Sequence, residues 1–110
     1  MPAPLPDGHG DLEPTDQDIR ISARLLLHIA RQPRIDPAGP APESLTQAGM
    51  AGALGTTQAA ASHALRRLVF GGLLVVRSSH VVGRRQRVKV YQLTQQGDTI
   101  VRQIRQSTGL

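Results

Sequence analysis

The cationic side chains of this chain are concentrated in its second half, where they are suited to binding a polyanion. Residues 1–55 carry four arginines against seven Asp or Glu residues, a net charge of −3. Residues 56–110 carry nine Lys or Arg residues against Asp98 alone, a net charge of +8. Each cation that pairs with a phosphate releases condensed counterions, so this half is expected to favour nucleic acid. A basic surface that only aids solubility is the alternative.

Residues 58–70 form a helical pattern that places further polar side chains on one face. Ala61, Leu65 and Leu68 recur at the spacing of a buried helical face. On the opposite face, glutamine can pair with adenine, arginine with guanine and serine with either, and an alanine methyl can contact the thymine methyl. The predicted base-contacting residues are Gln58, Ala59, Ser62, His63 and Arg66. A solvated helix face is the alternative.

Other residues are placed where they could contact the sugar–phosphate backbone. Hydroxyl and amide groups at helix N-termini suit phosphate oxygens, and arginines in a loop between strands can reach the backbone or the minor groove. Simple helix capping is equally compatible with the first group. The predicted backbone contacts are Thr46, Gln47 and Thr57 at helix starts, Arg67 and Arg77, and Arg84, Arg85 and Arg87 in the loop.

No combination of residues indicates catalysis or a metal site. The four histidines have no ligand spacing, and the chain has no cysteine. Ser62 and His63 are neighbours on a helix and point in different directions, so they do not form a nucleophile–base pair. No glycine-rich phosphate loop is present. We therefore expect no enzyme activity, no cofactor and no metal.

The first half of the chain predicts one long helix and a connection. Thr15 or Asp16 can cap a helix that Pro33 ends. Its inner stripe is predicted from apolar and small residues at helical spacing. These are Ile19, Ser22, Ala23, Leu26, Leu27 and Ala30. Residues 33–44 form a connection that can accommodate a very short strand around Glu43 to Leu45.

The second half predicts two helices, a hairpin and a last helix. Thr46 can cap a short helix that ends at Gly55, and Thr56 or Thr57 can cap the helix that follows. A strand opens at residues 73–76, a second runs from 88 to 93, and Gly83 is a turn residue between them. Thr94 then caps a final helix. The expected fold is mainly α with a small β-hairpin, in the order of a winged helix-turn-helix.

Particular segments resemble the core of a MarR-like winged helix-turn-helix DNA-binding domain of prokaryotic transcriptional regulators. They are residues 45–51 (LTQAGMA), 54–57 (LGTT), 62–68 (SHALRRL), 72–74 (GLL) and 88–97 (VKVYQLTQQG). The resemblance implies a DNA-binding domain over about residues 16–107. It also implies a recognition helix of about 58–70 in the major groove and a basic wing of 79–87 on the backbone or minor groove.

The expected partner is double-stranded DNA. Phe70 and Tyr91 are the only aromatic residues, whereas single-strand and RNA recognition normally stacks bases on several rings. Two alternatives remain open: a winged-helix protein-interaction module, and a DNA-binding domain of a larger assembly. The first would require an apolar outer face on the helix of residues 58–70.

Composition also gives expectations about location and assembly. The lack of cysteine, of a signal-peptide pattern and of a long apolar run favours a cytoplasmic protein that crosses no membrane. The Pro- and Gly-rich residues 1–15 are expected to form a disordered N-terminal tail. Surplus apolar surface on the first and last helices predicts a homodimer. The predicted interface residues are Leu25, Ile29, Ile100, Val101 and Ile104.

Overall fold

A computed structural model describes residues 16–32, 40–81, 83 and 85–108 of the chain. Its helices are α1 (Asp16–Arg31), α2 (Gln47–Leu54), α3 (Gln58–Phe70) and α4 (Gln95–Thr108), and Glu43–Leu45 form one 3₁₀ turn. Strands β1 (Leu74–Ser79) and β2 (Val88–Leu93) pair as an antiparallel hairpin. The described residues are thus mainly helical with a small hairpin, as predicted. The predicted disordered tail lies outside them.

Threonine caps begin three of the helices at the predicted positions. Thr46 Oγ1 accepts a hydrogen bond of 3.0 Å from the backbone N–H of Gly49 at the start of α2. Thr57 and Thr94 accept equivalent bonds of 3.0 Å at the starts of α3 and α4. Each bond satisfies one of the N–H groups that a helix start leaves without a partner. These local signals explain why the predicted helix boundaries are confirmed.

One core joins all the main elements. Its largest fully buried side chains come from α1, α2, α3, β2 and α4, one from each. They are Leu25, Met50, Leu65, Val90 and Val101. Helix α1 packs against both α3 and α4, and β1 packs against α3. The orientation of α3 is therefore fixed from several sides.

The buried face of α1 differs from the predicted stripe. Ile21, Leu25 and Ile29, each one turn apart, point into the core together with Leu26. Ile19, which was placed on the inner face, is 55% exposed. The helix carries apolar residues around more than half of its circumference, so periodicity alone did not fix its rotation.

The observed rotation of α1 contradicts part of the predicted dimer interface. Leu25, Ile29 and Val101 are buried within the single chain, because α1 and α4 pack against each other and cover these side chains. They offer no surface to a second subunit. Ile100 and Ile104 are only partly buried against the core.

The prediction for the segment before α2 is also wrong. Glu43–Leu45 form a 3₁₀ turn instead of a short strand, closed by hydrogen bonds from Leu45 N to Pro42 O and from Thr46 N to Glu43 O. Isolated bridges flank the turn: Ala41 pairs with Val81, and Thr46 pairs with Val90 of β2. Extended pairing thus occurs on either side of the predicted position.

Among the described residues no helix has the length and apolarity needed to span a membrane.

Gly97 marks the closest approach between α4 and the chain that leads into the hairpin. A Cβ at Gly97 would overlap the carbonyl oxygen of Leu73. That oxygen also accepts a 3.1 Å hydrogen bond from the backbone N–H of Thr94, so it cannot move away without breaking the junction. We expect Gly97→Ala to lower the free energy of unfolding by about 1–3 kcal/mol, measured by urea denaturation.

Gly52→Ala provides the matched control for this prediction. Gly52 lies within α2, and a Cβ there would meet no atom within 4 Å. Alanine at this position should raise the free energy of unfolding by about 0.5–1 kcal/mol, because glycine lowers helix stability. If both substitutions had the same sign, steric exclusion at Gly97 would not be the cause.

Candidate nucleic-acid interface

The exposed face of α3 carries the residues that the sequence predicted for base contacts. Its opposite face is buried through Ala61, Ala64, Leu65 and Leu68. Among the predicted residues, Gln58, Ala59 and Arg66 are exposed, and Ser62 and His63 are partly exposed. Ala59, Ser62, His63 and Arg66 lie on the side of the helix away from the core, and Gln58 is exposed at the first position of the helix.

Phe70 continues this exposed face and was not among the predicted site residues. It lies one turn after Arg66, in the last turn of α3, and is 94% exposed. An exposed phenylalanine is unusual. Its apolar side chain does not have the hydrogen-bonding groups from which the base-contacting residues were predicted. The candidate surface therefore ends in an aromatic ring beside Gly71.

Two arginines of α3 are held by residues one turn earlier. Arg67 Nε donates a hydrogen bond of 3.2 Å to His63 Nε2, in a partly buried position. Arg66 Nη2 donates a longer, exposed hydrogen bond of 3.5 Å to Ser62 Oγ. Arg67 is thus more firmly held than Arg66, and His63 and Ser62 contact other side chains of the same helix.

The junction between α2 and α3 brings three predicted backbone contacts close together. Gln47 Nε2 donates a 3.4 Å hydrogen bond to the carbonyl oxygen of Gln58, which links the two helix starts. Thr57 is exposed at the cap of α3. Thr46, by contrast, is 4% exposed, and its hydroxyl contacts Glu43 and Gly49. It caps α2 and is not available to a phosphate, which corrects its predicted role.

The hairpin presents its arginines unequally. Arg85 is exposed, while Arg87 donates hydrogen bonds to Oγ and to the carbonyl oxygen of Ser78 at 3.4 and 3.1 Å. The Nε and Nη2 atoms of Arg77 are shielded from solvent and have no hydrogen-bond partner, so its predicted phosphate contact would require the side chain to move. The prediction for Arg84 falls outside the described residues.

A hydrogen-bonded network connects the end of α1 with the turn before α2. His28 Nε2 lies 2.9 Å from the carbonyl oxygen of Ser44, and Ser44 Oγ donates a 2.7 Å bond to Gln32 Oε1. Gln32 Nε2 in turn bonds the carbonyl oxygen of His28 at 3.2 Å. His28 is therefore a structural residue that fixes the entry to α2.

The candidate surface has an unbalanced charge. Between Glu43 and Asp98 the chain contains seven Lys or Arg residues and no carboxylate. This stretch comprises α2, α3 and both strands. No carboxylate of these elements can therefore neutralise their arginines, which leaves a positive potential for an anionic partner. In the described part of the chain, no three His, Asp or Glu side chains cluster in a way that could hold a metal ion.

Tyr91 of β2 lies within electrostatic range of this surface. Burial raises the pKa of its phenol above the usual value, and the positive charge of Arg66 opposes part of that rise. Sequence reasoning gave Tyr91 no role at the site, because its neighbour in space belongs to α3.

Comparisons of the chain with protein-family models, with curated proteins and with solved structures found no match.

The single tyrosine of the chain allows a direct test of the Tyr91–Arg66 proximity. The phenolate absorbance should titrate with a pKa above about 10, and Arg66→Ala should raise that pKa further by removing a nearby cation. Because the folded-state pKa is raised, the associated stability is complete below the unfolded pKa of about 10 and is lost as pH rises through the folded value.

Tyr91→Phe should remove this part of the alkaline loss of stability. Arg105→Ala on α4 serves as the control for a general change of charge. A Tyr91 pKa that moved equally in both arginine variants would contradict the specific proximity of Arg66.

Proposed function

We propose that this chain is a winged helix-turn-helix domain that binds double-stranded DNA and regulates transcription. In this proposal α2 and α3 are the helix-turn-helix, α3 lies in the major groove, and the hairpin is the wing. The main support is the stretch between Glu43 and Asp98, which has no carboxylate and contains both the exposed face of α3 and the hairpin arginines. The order of elements and the three-residue connection between α2 and α3 support the same proposal.

The exposed side chains of α3 suit direct readout of base edges. Gln58 and Arg66 can each make two hydrogen bonds to one base, and each good pair contributes about 1–3 kcal/mol of discrimination. Thr57, Arg67 and the hairpin arginines suit the phosphates that border the groove. No step of this function is catalytic, and it requires no cofactor or metal.

A protein-interaction module is the weaker proposal. Such a module would be expected to present an apolar surface on α3. The exposed side of α3 instead carries Gln58, Ser62 and Arg66, with Phe70 alone as a large apolar residue.

Salt dependence provides the first test of DNA binding. Affinity for a random-sequence duplex should fall steeply as salt rises, because the predicted contacts release counterions. Arg85→Ala should weaken specific and random duplexes alike and lower the salt slope by about 1, whereas Gln58→Ala should mainly relax sequence preference. Arg102→Ala is the control, since Arg102 already pairs with Asp98 at 2.8 Å on α4.

The outcomes separate the assigned roles. A flat salt dependence of the unmodified protein would refute DNA binding. Equal losses of preference in the Arg85 and Gln58 variants would leave DNA binding intact and contradict the division between backbone and base contacts.

We further propose that the domain acts as a homodimer through the outer sides of α1 and α4. Ile19 is exposed there, and Ile100 and Ile104 are only partly buried. Two-fold symmetry would place two recognition helices about 34 Å apart, which matches an inverted-repeat operator. A second module also raises affinity without a new type of contact.

Sedimentation at micromolar concentration tests this assembly. The protein should sediment as a dimer, and Ile19→Asp should shift it to a monomer, because an unpaired carboxylate is costly in an apolar interface. Val75→Asp is the control: Val75 is an apolar residue of similar exposure, 46%, on the hairpin. A monomer that protects a single asymmetric half-site would exclude the dimer.

A further inference from the structure

The contact between Arg67 and His63 defines the chemical state of the histidine. A guanidinium group can only donate hydrogen bonds, so His63 Nε2 must accept the 3.2 Å bond from Arg67 Nε. Neutral imidazole has one accepting nitrogen, and the proton therefore resides on Nδ1. The Nδ1–H donor is then the only hydrogen-bonding group that His63 has left.

The position of the pair on α3 separates it from the base-contacting residues. Successive helical residues are rotated by about 100°, so Gln58, Ser62 and Arg66 follow one line along the exposed face. His63 and Arg67 follow a parallel line, about 100° further round the helix. Both are partly buried, as is Ser62, whereas Gln58 and Arg66 are exposed. The edge of a helix lying in the major groove is nearest to the flanking phosphates.

We propose that His63 is a positioning residue that orients the Arg67 guanidinium for a backbone phosphate and does not itself read a base. This inference rests on the proposed DNA binding and changes the predicted role of His63. A histidine is suited to this task because its neutral form fixes Nε of the arginine without cancelling the positive charge. A carboxylate in its place would compete with the phosphate for the same cation.

A double-mutant cycle on a random-sequence duplex tests the assignment. Arg67→Ala and His63→Leu should each weaken binding by about 3–10-fold, consistent with one charge-assisted contact. The double variant should lose no more than Arg67→Ala alone, because both changes remove the same interaction. His63→Gln, which keeps an acceptor at a similar reach, should restore affinity to within about twofold.

Three further measurements separate a positioning role of His63 from effects on folding and from base contact. Nitrogen NMR of the free protein should show His63 with its proton on Nδ1, and this tautomer should no longer be favoured in Arg67→Ala. Sequence preference should be unchanged in His63→Leu, since phosphate contacts act on all sequences alike. Thermal melts of each variant exclude unfolding as the cause of lost affinity.

The possible failures are distinguishable. If the unmodified protein shows no salt-dependent duplex binding, the proposed function is refuted, together with the role of the pair on DNA. If it binds, but the His63 and Arg67 losses are additive or His63→Leu relaxes preference, only the positioning role is overturned. A His63 protonated on Nε2 would also overturn it.

Discussion

The burial of one face of α3 is the constraint on which the candidate surface depends. Leu65 is fully buried, as are Ala61 and Ala64, and α3 packs against α1, α2 and β1. The small side chains of the two alanines allow neighbouring elements to approach α3 closely. A helix held on this face cannot rotate without exposing these side chains. The position of Arg66 on the surface is thus a consequence of packing on the opposite side.

The hairpin depends on a second constraint, at its junction with α4. Thr94 Oγ1 donates a 2.6 Å hydrogen bond to the carbonyl oxygen of Gly72, and its backbone N–H bonds that of Leu73. The residues that precede β1 are therefore tied to the residue that follows β2. Since α4 packs on α1, the base of the hairpin is fixed relative to the core, and its tip can be oriented with respect to α3. Side chains on the hairpin and on α3 then lie on one rigid domain.

Local sequence signals made most element boundaries predictable. Contacts between distant segments could not be predicted from the sequence. Thr46, Thr57 and Thr94 each specify a helix start through their own backbone, so the sequence was sufficient there. The rotation of α1 was different, because Leu25, Leu26 and Ile29 are all apolar and only the packing of α3 and α4 against the helix decides between faces. The exposed set on α3 followed from periodicity. The pairing of Arg67 with His63 and the shielding of Arg77 required side-chain geometry.

Two arginines of the candidate surface differ from Arg102 in the nature of their partners. Arg102 on α4 pairs with a carboxylate, Asp98. Arg67 and Arg87 are instead held by neutral acceptors, His63 and Ser78. An exposed ion pair stabilises a protein by only about 0–1 kcal/mol, so holding an arginine by a neutral acceptor costs little in comparison. A neutral acceptor limits the conformations of an arginine side chain without cancelling its charge. Order and charge are therefore retained together on the surface where an anionic partner would need both.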